Sequence, residues 1–435
     1  MKEVVVPICS RREILGLIAA SAVVGTLKAG AESVSPHGGV LAPWKPGELK
    51  IHLIHTGVGE CQFLVFPDGT TMMIDCGDHA AMTRLDLSVP VVPDSTRLAG
   101  EWAARYVLRV NPNKDKVDYL EVSHWHEDHT GSAKWQSLAR GWNAGLKGCF
   151  RSGFGLAAEF LHFGKAFDRG YPNYDDPIPV SDGDLTPLGH MKRLYAALKE
   201  RDGLAVEKIR IGATDQIVPL RGTVAGFSVF NLCANGKVMM PDGSVSNVYG
   251  DLFENGKKPS RLNENGMSIG HVIRYGKFSY YTAGDFSDHR KKGDGSTWMI
   301  EETMAKAVGR VNVAKMNHHG HHSMPNALVM VLCPQVWTAC VWDQLHTVPE
   351  TLARVCDPRS YPNGRLPTVV PGVFPDLRTK HEATAPYFAC LEPACLKTGC
   401  HVVITVPPSA TSFRVDCVRA KDESMSVVSS HEYAL

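Results

Sequence analysis

Val122-Ser123-His124-Trp125-His126-Glu127-Asp128-His129-Thr130-Gly131 places three histidines and an aspartate in the pattern H-x-H-x-D-H. The preceding run, Val117 to Val122, reads as a short buried strand, so the cluster falls at a strand's C-terminal end, where α/β folds gather ligands. A tight loop there can turn four such side chains into one small volume. Imidazoles suit zinc, and the carboxylate adds a second ligand type and neutralises charge. The alternative, a solvated surface histidine cluster, does not account for this spacing. Gly131-Ser132 fits a turn into a helix.

Upstream, Leu49 to His55 reads as a strand running into the glycine turn Gly57-Val58-Gly59. Gln62 to Phe66 and Thr71 to Ile74 read as strands joined by the turn Pro67-Asp68-Gly69, and Asp75-Cys76-Gly77 closes the second. Glu101 to Val110 has helical periodicity. Downstream, Met191 to Arg201 is the clearest helix, and strands are predicted at Ile209 to Ile211 and Gly226 to Leu232. Residues 237–263 are polar and glycine-bearing, a surface excursion. Ser268 to Arg274 and Phe278 to Thr282 read as strands around the turn Tyr275-Gly276-Lys277, the second ending at Gly284-Asp285. Val311 to Met316 reads as a strand running into Asn317-His318-His319-Gly320-His321-His322. Short helices at Ala327 to Leu332 and Glu350 to Val355 flank a strand at Val336 to Val341. A hairpin of His401 to Val406 and Ser412 to Val415 closes the pattern.

With 435 residues, 44% hydrophobic and 21% charged, the chain suits one large α/β domain with insertions, or two domains. Its start, Ser10-Arg11-Arg12 followed by a short apolar run and Ala29-Gly30-Ala31, resembles a twin-arginine export signal over residues 1–31. The run falls short of the ~20 residues that span a bilayer, so no stable membrane anchor is expected. The expectations that follow are a periplasmic or secreted protein, the twin-arginine translocon as partner during export, and a linker at 32–47. Removing the first 31 residues takes away Lys2, Arg11, Arg12 and Lys28 against Glu3 and Glu13, turning the formal charge from +1 to −1. That balance gives polymeric nucleic acid no general attraction. Eleven of the twelve cysteines follow the signal. Cys390, Cys395 and Cys400, beside His401, lack the C-x-x-C spacing of a structural zinc site and read as a disulfide or buried thiols.

H-x-H-x-D-H resembles the signature of the metallo-β-lactamase superfamily. The order of elements is more closely similar to the hydrolase domain of ComEC-type competence proteins. Beyond the histidine loop, the stretches that carry this are His52 to Cys61, Pro67 to Gly77, Asn263 to Ser268, Thr282 to Phe286, Ala314 to Gly320 and Leu345 to Pro349. The resemblance implies a four-layer αββα sandwich over 48–420, with insertions at about 135–208 and 237–263 and a C-terminal tail at 421–435. It implies two divalent metal ions, zinc by the imidazole-rich set, with manganese or iron compatible.

His124 and His126 would hold one metal, Asp128 and His129 the other, and Asp285 would bridge them. His318, first after its strand, is preferred to complete the second metal, with His319 the alternative. Asn263-Glu264-Asn265 stands where many members place a third histidine for the first metal. His190 and His271 are weaker substitutes there. A metal-bridging hydroxide, oriented by Asp128, would attack phosphorus or a carbonyl carbon. Asp75 and Asp78 are candidates to fix a ligand histidine, or turn residues. His346 would contact substrate or protonate the leaving group, or be structural. His321 and His322 have no counterpart and read as solvent-exposed. The implied activity is phosphodiester cleavage, of a small molecule or, less supported by charge, of nucleic acid. The alternatives are hydrolysis of a carboxylic ester, lactone or β-lactam, and non-catalytic metal or ligand binding on the same scaffold.

Overall fold

A computed structural model describes residues 39–79, 89–132, 146, 148–250, 264–287, 300–374, 383, 385–397 and 399–435. The expected export signal, residues 1–31, lies outside the described residues, as do Asn263 and the first part of the predicted 135–208 insertion. Among the described residues no helix is long and apolar enough to cross a membrane.

Among the described residues, seventeen strands form two mixed sheets. The nine-stranded sheet has the order β17-β16-β15-β1-β2-β3-β4-β5-β6. It comprises β1 (Leu49–Leu53), β2 (Cys61–Val65), β3 (Thr71–Cys76), β4 (Lys116–Glu121), β5 (His162–Asp168), β6 (Ala205–Lys208), β15 (Cys400–Val406), β16 (Ser412–Arg419) and β17 (Val427–Ala434). The eight-stranded sheet has the order β14-β13-β12-β11-β10-β7-β8-β9. It comprises β7 (Phe227–Ala234), β8 (Lys237–Met239), β9 (Val245–Asn247), β10 (Gly270–Tyr275), β11 (Phe278–Ala283), β12 (Val313–Lys315), β13 (Val336–Thr338) and β14 (Thr368–Val370).

Side-chain alternation sorts these strands into layers. Leu49, Ile51 and Leu53 of β1, Phe278 and Tyr280 of β11, and Phe413 and Val415 of β16 share one core between the sheets. The opposite face of the first sheet, with Phe63 and Met73, packs on helices Ala99–Val110 and Pro187–Asp202. Tyr281, Ala314 and Trp337 of the second sheet pack on helices Ile300–Val308, Asn326–Leu332 and Pro349–Val355. Helix, sheet, sheet and helix therefore stack as a four-layer αββα sandwich, the architecture expected from the sequence. Coverage on both faces explains why these strands read as nearly continuous apolar runs.

Four features correct the sequence reading. The strand expected at Ile209 to Ile211 lies just earlier, as β6. Much of the expected 135–208 insertion belongs to the sheet, because β5 pairs in parallel with β4 and β6 with β5. Residues 421–435 are not a free tail: β17 pairs antiparallel with β16 at the sheet edge, and Tyr433 stacks on Phe413 at 4.8 Å. The 237–263 excursion begins as the hairpin β8–β9, extending the second sheet.

Candidate metal centre

The parallel pairs β3–β4 and β11–β12–β13 end on the side of the sandwich where the chemistry-bearing side chains gather. Asp75 closes β3, residues 124–130 follow β4, Asp285 follows β11, the 317–320 turn follows β12, and His346 lies beyond β13. Glycines let these loops interlock. A Cβ on Gly77 would stand 1.7 Å from the Asp128 carbonyl oxygen, and one on Gly59 would stand 2.9 Å from it. The backbone N–H of Glu60 donates to that same oxygen at 2.8 Å. The Asp285 N–H donates to Ser268 Oγ at 2.9 Å, and Ile269 N–H donates to the Ser123 carbonyl at 2.9 Å, joining the two sheets' loops.

Four donor atoms from three loops converge. His129 Nε2 lies 3.1 Å from Asp285 Oδ2 and 3.5 Å from Asp128 Oδ2. His319 Nε2 lies 3.1 Å from Asp128 Oδ2 and 3.2 Å from Asp285 Oδ2. A tetrahedral ion with bonds of about 2.0–2.1 Å separates its ligand atoms by about 3.3–3.4 Å, so this donor set fits one divalent cation. Beside it, His124 Nε2 lies 3.9 Å from Asp285 Oδ2 and 3.2 Å from His126 Nδ1. Asp285 Oδ1 is buried without a hydrogen-bond partner, which leaves it open to a cation.

The electrostatics match a cation's place. Burial alone would lower the pKa of His129, but the carboxylates of Asp285, Asp128 and Asp75 outweigh it and hold the imidazole well above its usual value. His319 is opposed by burial in the same way and raised to about 9, chiefly by Asp285 and Asp128. Asp128 and Asp285 fall well below the carboxylate range despite burial, held there by the same histidines. His124 is lowered by burial and then by His129.

Each converging imidazole is fixed from behind. His129 Nδ1 donates to Asp75 Oδ2 at 2.8 Å, and Asp75 also accepts from Ser123 Oγ at 2.6 Å and Ser123 N at 2.8 Å. His319 Nδ1 donates to the Cys340 carbonyl at 2.8 Å, with Glu60 Oε2 at 3.5 Å. Ligand atoms of Glu60, His129, Asp285 and His319 lie within 4.8 Å of one another. Glu60, however, meets His319 on the Nδ1 side, and its oxygens are occupied by Lys315 Nζ and Gln62 Nε2 at 2.9 Å each. It is a buried support with its own counter-ion, 1% exposed.

The sequence reading is thus redistributed. The loop after β4 and the end of β11 bring His124, His126, Asp128, His129 and Asp285 together. His318, preferred on the sequence, gives way to His319, because consecutive left-handed residues (φ 49° and 54°) turn the second histidine inward. His318 instead sets Nε2 3.2 Å from Asn265 Nδ2. His346 stacks on His319 with ring centroids 4.8 Å apart. His321, expected in solvent, is half-buried beside His346 and His318, whereas His322 is exposed. His271 is not a substitute ligand: its Nε2 meets both Glu121 oxygens at 2.9 Å. His190 packs against Phe150, away from the centre. Asp78 accepts from Ser152 Oγ at 3.0 Å instead of from a ligand histidine. Glu60 and Lys315 were missed; they lie in quoted stretches, but 255 residues apart.

No family model and no curated protein matches the chain. Among solved structures, a point-mutant form of CmlA beta-hydroxylase is similar over 70% of this chain and 47% of its own, with 13% identity and a TM-score of 0.34. CmlA itself, a diiron beta-hydroxylase from Streptomyces venezuelae, is similar over 79% of this chain and 50% of its own, with 13% identity and a TM-score of 0.35. The chain spans about half the length of these proteins.

Proposed function

We propose that the chain is an exported metal-dependent hydrolase that cleaves a phosphodiester, closest in kind to the ComEC-type hydrolases. Two divalent cations would be held there, one by His124, His126 and Asp285, the other by Asp128, His129, His319 and Asp285. The observation that carries this reading is the four-donor set, whose spacings of 3.1–3.5 Å suit a tetrahedral cation. When bound, the cations supply Lewis acidity, making water nucleophilic at neutral pH and offsetting negative charge that develops on the substrate. Imidazoles and carboxylates together accept zinc, manganese or iron.

The chain's own residues do the rest. With a cation in place of the second proton, Asp75 and the Cys340 carbonyl would hold the remaining proton of His129 and His319 on Nδ1, leaving both Nε2 lone pairs to the metal. Asn265 holds its amide at His318, while its Oδ1 is buried without a partner and can accept from substrate. His346 is buried and its pKa is lowered by burial, then by His319, so it serves as a neutral imidazole beside the reacting groups. The preference for a phosphodiester over a carbonyl substrate rests on the resemblance to ComEC-type proteins, with asparagine where other members place a third histidine. The neutral overall charge favours a small phosphodiester over polymeric DNA.

The test is turnover of bis-p-nitrophenyl phosphate, nitrocefin and a simple lactone by metal-replete protein. The reading expects phosphodiester cleavage that disappears in His126→Ala. Turnover of nitrocefin or lactone alone would move the assignment to carbonyl hydrolysis. Two tightly bound metals with no turnover of any substrate would leave a metal-binding protein.

A further inference from the structure

Away from this centre, three cysteines meet in the layer between the sheets. Cys400 begins β15, Cys417 lies on β16, and Cys395 stands on the short helix Pro393–Lys397. All three belong to the inter-sheet core and are at most 1% exposed. Their sulfurs lie within 4.8 Å of one another, with Cys395 and Cys400 at 3.5 Å. The strands explain the meeting: Cys417 pairs with Val402, two residues from Cys400 and on the same face.

We propose that Cys395, Cys400 and Cys417 form a second metal site, selective for a soft monovalent cation of the copper(I) type. Metal–sulfur bonds of about 2.3 Å place three sulfurs about 4.0 Å apart in a trigonal plane, within the range these side chains span. Thiolates select copper(I), zinc or iron–sulfur clusters. Zinc in a closed site takes four ligands, and among the described residues no fourth histidine, cysteine or carboxylate joins the group.

The neighbouring candidates are engaged elsewhere. His401 points to the other face of β15, where its Nδ1 accepts from His55 N at 3.1 Å. Glu392 accepts from His431 Nε2 at 2.7 Å. Three sulfurs without a fourth donor suit a cation that is content with three. Cys400 also lines a narrow pocket with Leu53, His55 and Cys340.

The site is tested on reduced full-length protein under anaerobic conditions, titrated with copper(I) against bathocuproine disulfonate. One copper(I) per chain is expected. Cys400→Ser or Cys417→Ser should weaken it by more than the roughly 100-fold that loss of a mere outer-shell partner can bring. His129→Ala should leave it intact, so the result stands apart from the hydrolase reading. Copper-edge X-ray absorption of the wild type, which needs no variant to fold, should show three sulfur neighbours. A nitrogen- or oxygen-dominated shell, or equal affinity in the serine variants, would overturn the proposal. So would a Cys395–Cys400 disulfide whose reduction yields protein that binds no copper(I).

Discussion

Replacing Asp75 by asparagine changes one atom yet should disable His129. Asp75 is wholly buried, and its Oδ1 accepts from the Ser123 backbone N–H, a donor that cannot reverse. An asparagine must therefore keep its oxygen there and turn its NH₂ toward His129 Nδ1, 2.8 Å away in the native site. Two donors then face each other, and relief comes from moving the imidazole proton to Nε2, which points at Asp285 Oδ2 at 3.1 Å. The ligand lone pair is lost to a proton that a cation must displace. Loss of such a supporting carboxylate weakens metal binding about 10- to 100-fold, equivalent to about 1.4–2.7 kcal/mol. Titration of apo protein with zinc against a fluorescent chelator at fixed pH reads this directly, and a thermal melt of the chelated variant reports its folding. Affinity within about twofold of wild type would refute the argument that Asp75 sets the tautomer.

Other consequences follow from the same geometry. His319→Ala should abolish binding of the second metal, while His318→Ala should keep both metals, by metal analysis of dialysed protein, and slow turnover. Lys315→Met leaves Glu60 buried and uncompensated and should lower stability by about 3–5 kcal/mol in urea unfolding. The double variant with Glu60→Gln should recover much of that loss. Burial lowers His55 and His190 to about 4 and His401 to about 3, below the unfolded value of about 6.5. The unfolded chain binds more protons in that window, so their contribution is complete above about 6.5 and is lost as pH falls toward 4. Each should take away about 2 kcal/mol at about pH 5. His401→Gln, which keeps an acceptor for the His55 N–H, should flatten the pH dependence of the melting temperature; an unchanged slope would contradict this.

How much of this was legible in the sequence depends on distance along the chain. The H-x-H-x-D-H loop declares itself because its ligands lie within one turn after a buried strand, and T-A-G-D marks Asp285 by the same strand-end logic. The choice between His318 and His319 was hidden, because two successive left-handed residues decide which one faces inward. Glu60 and Lys315 were invisible as a pair, since only the sandwich brings β12 beside the loop before β2. Edge strands were harder still. β17, Val-Val-Ser-Ser-His-Glu-Tyr-Ala, is polar and half-buried, so it shows no clean alternation. β5 carries Gly164 and Lys165 at its centre, which masked a strand paired on both sides.

The central claim is that separate loops grip a cation through His129, His319, Asp128 and Asp285. Anomalous diffraction from crystals of metal-loaded protein, collected at the metal's absorption edge, tests it most directly. The account predicts a peak within bonding distance of His129 Nε2, His319 Nε2 and both aspartates, with a second peak beside His124 and His126. Full metal loading with no peak touching Asp285 or His319 would contradict it.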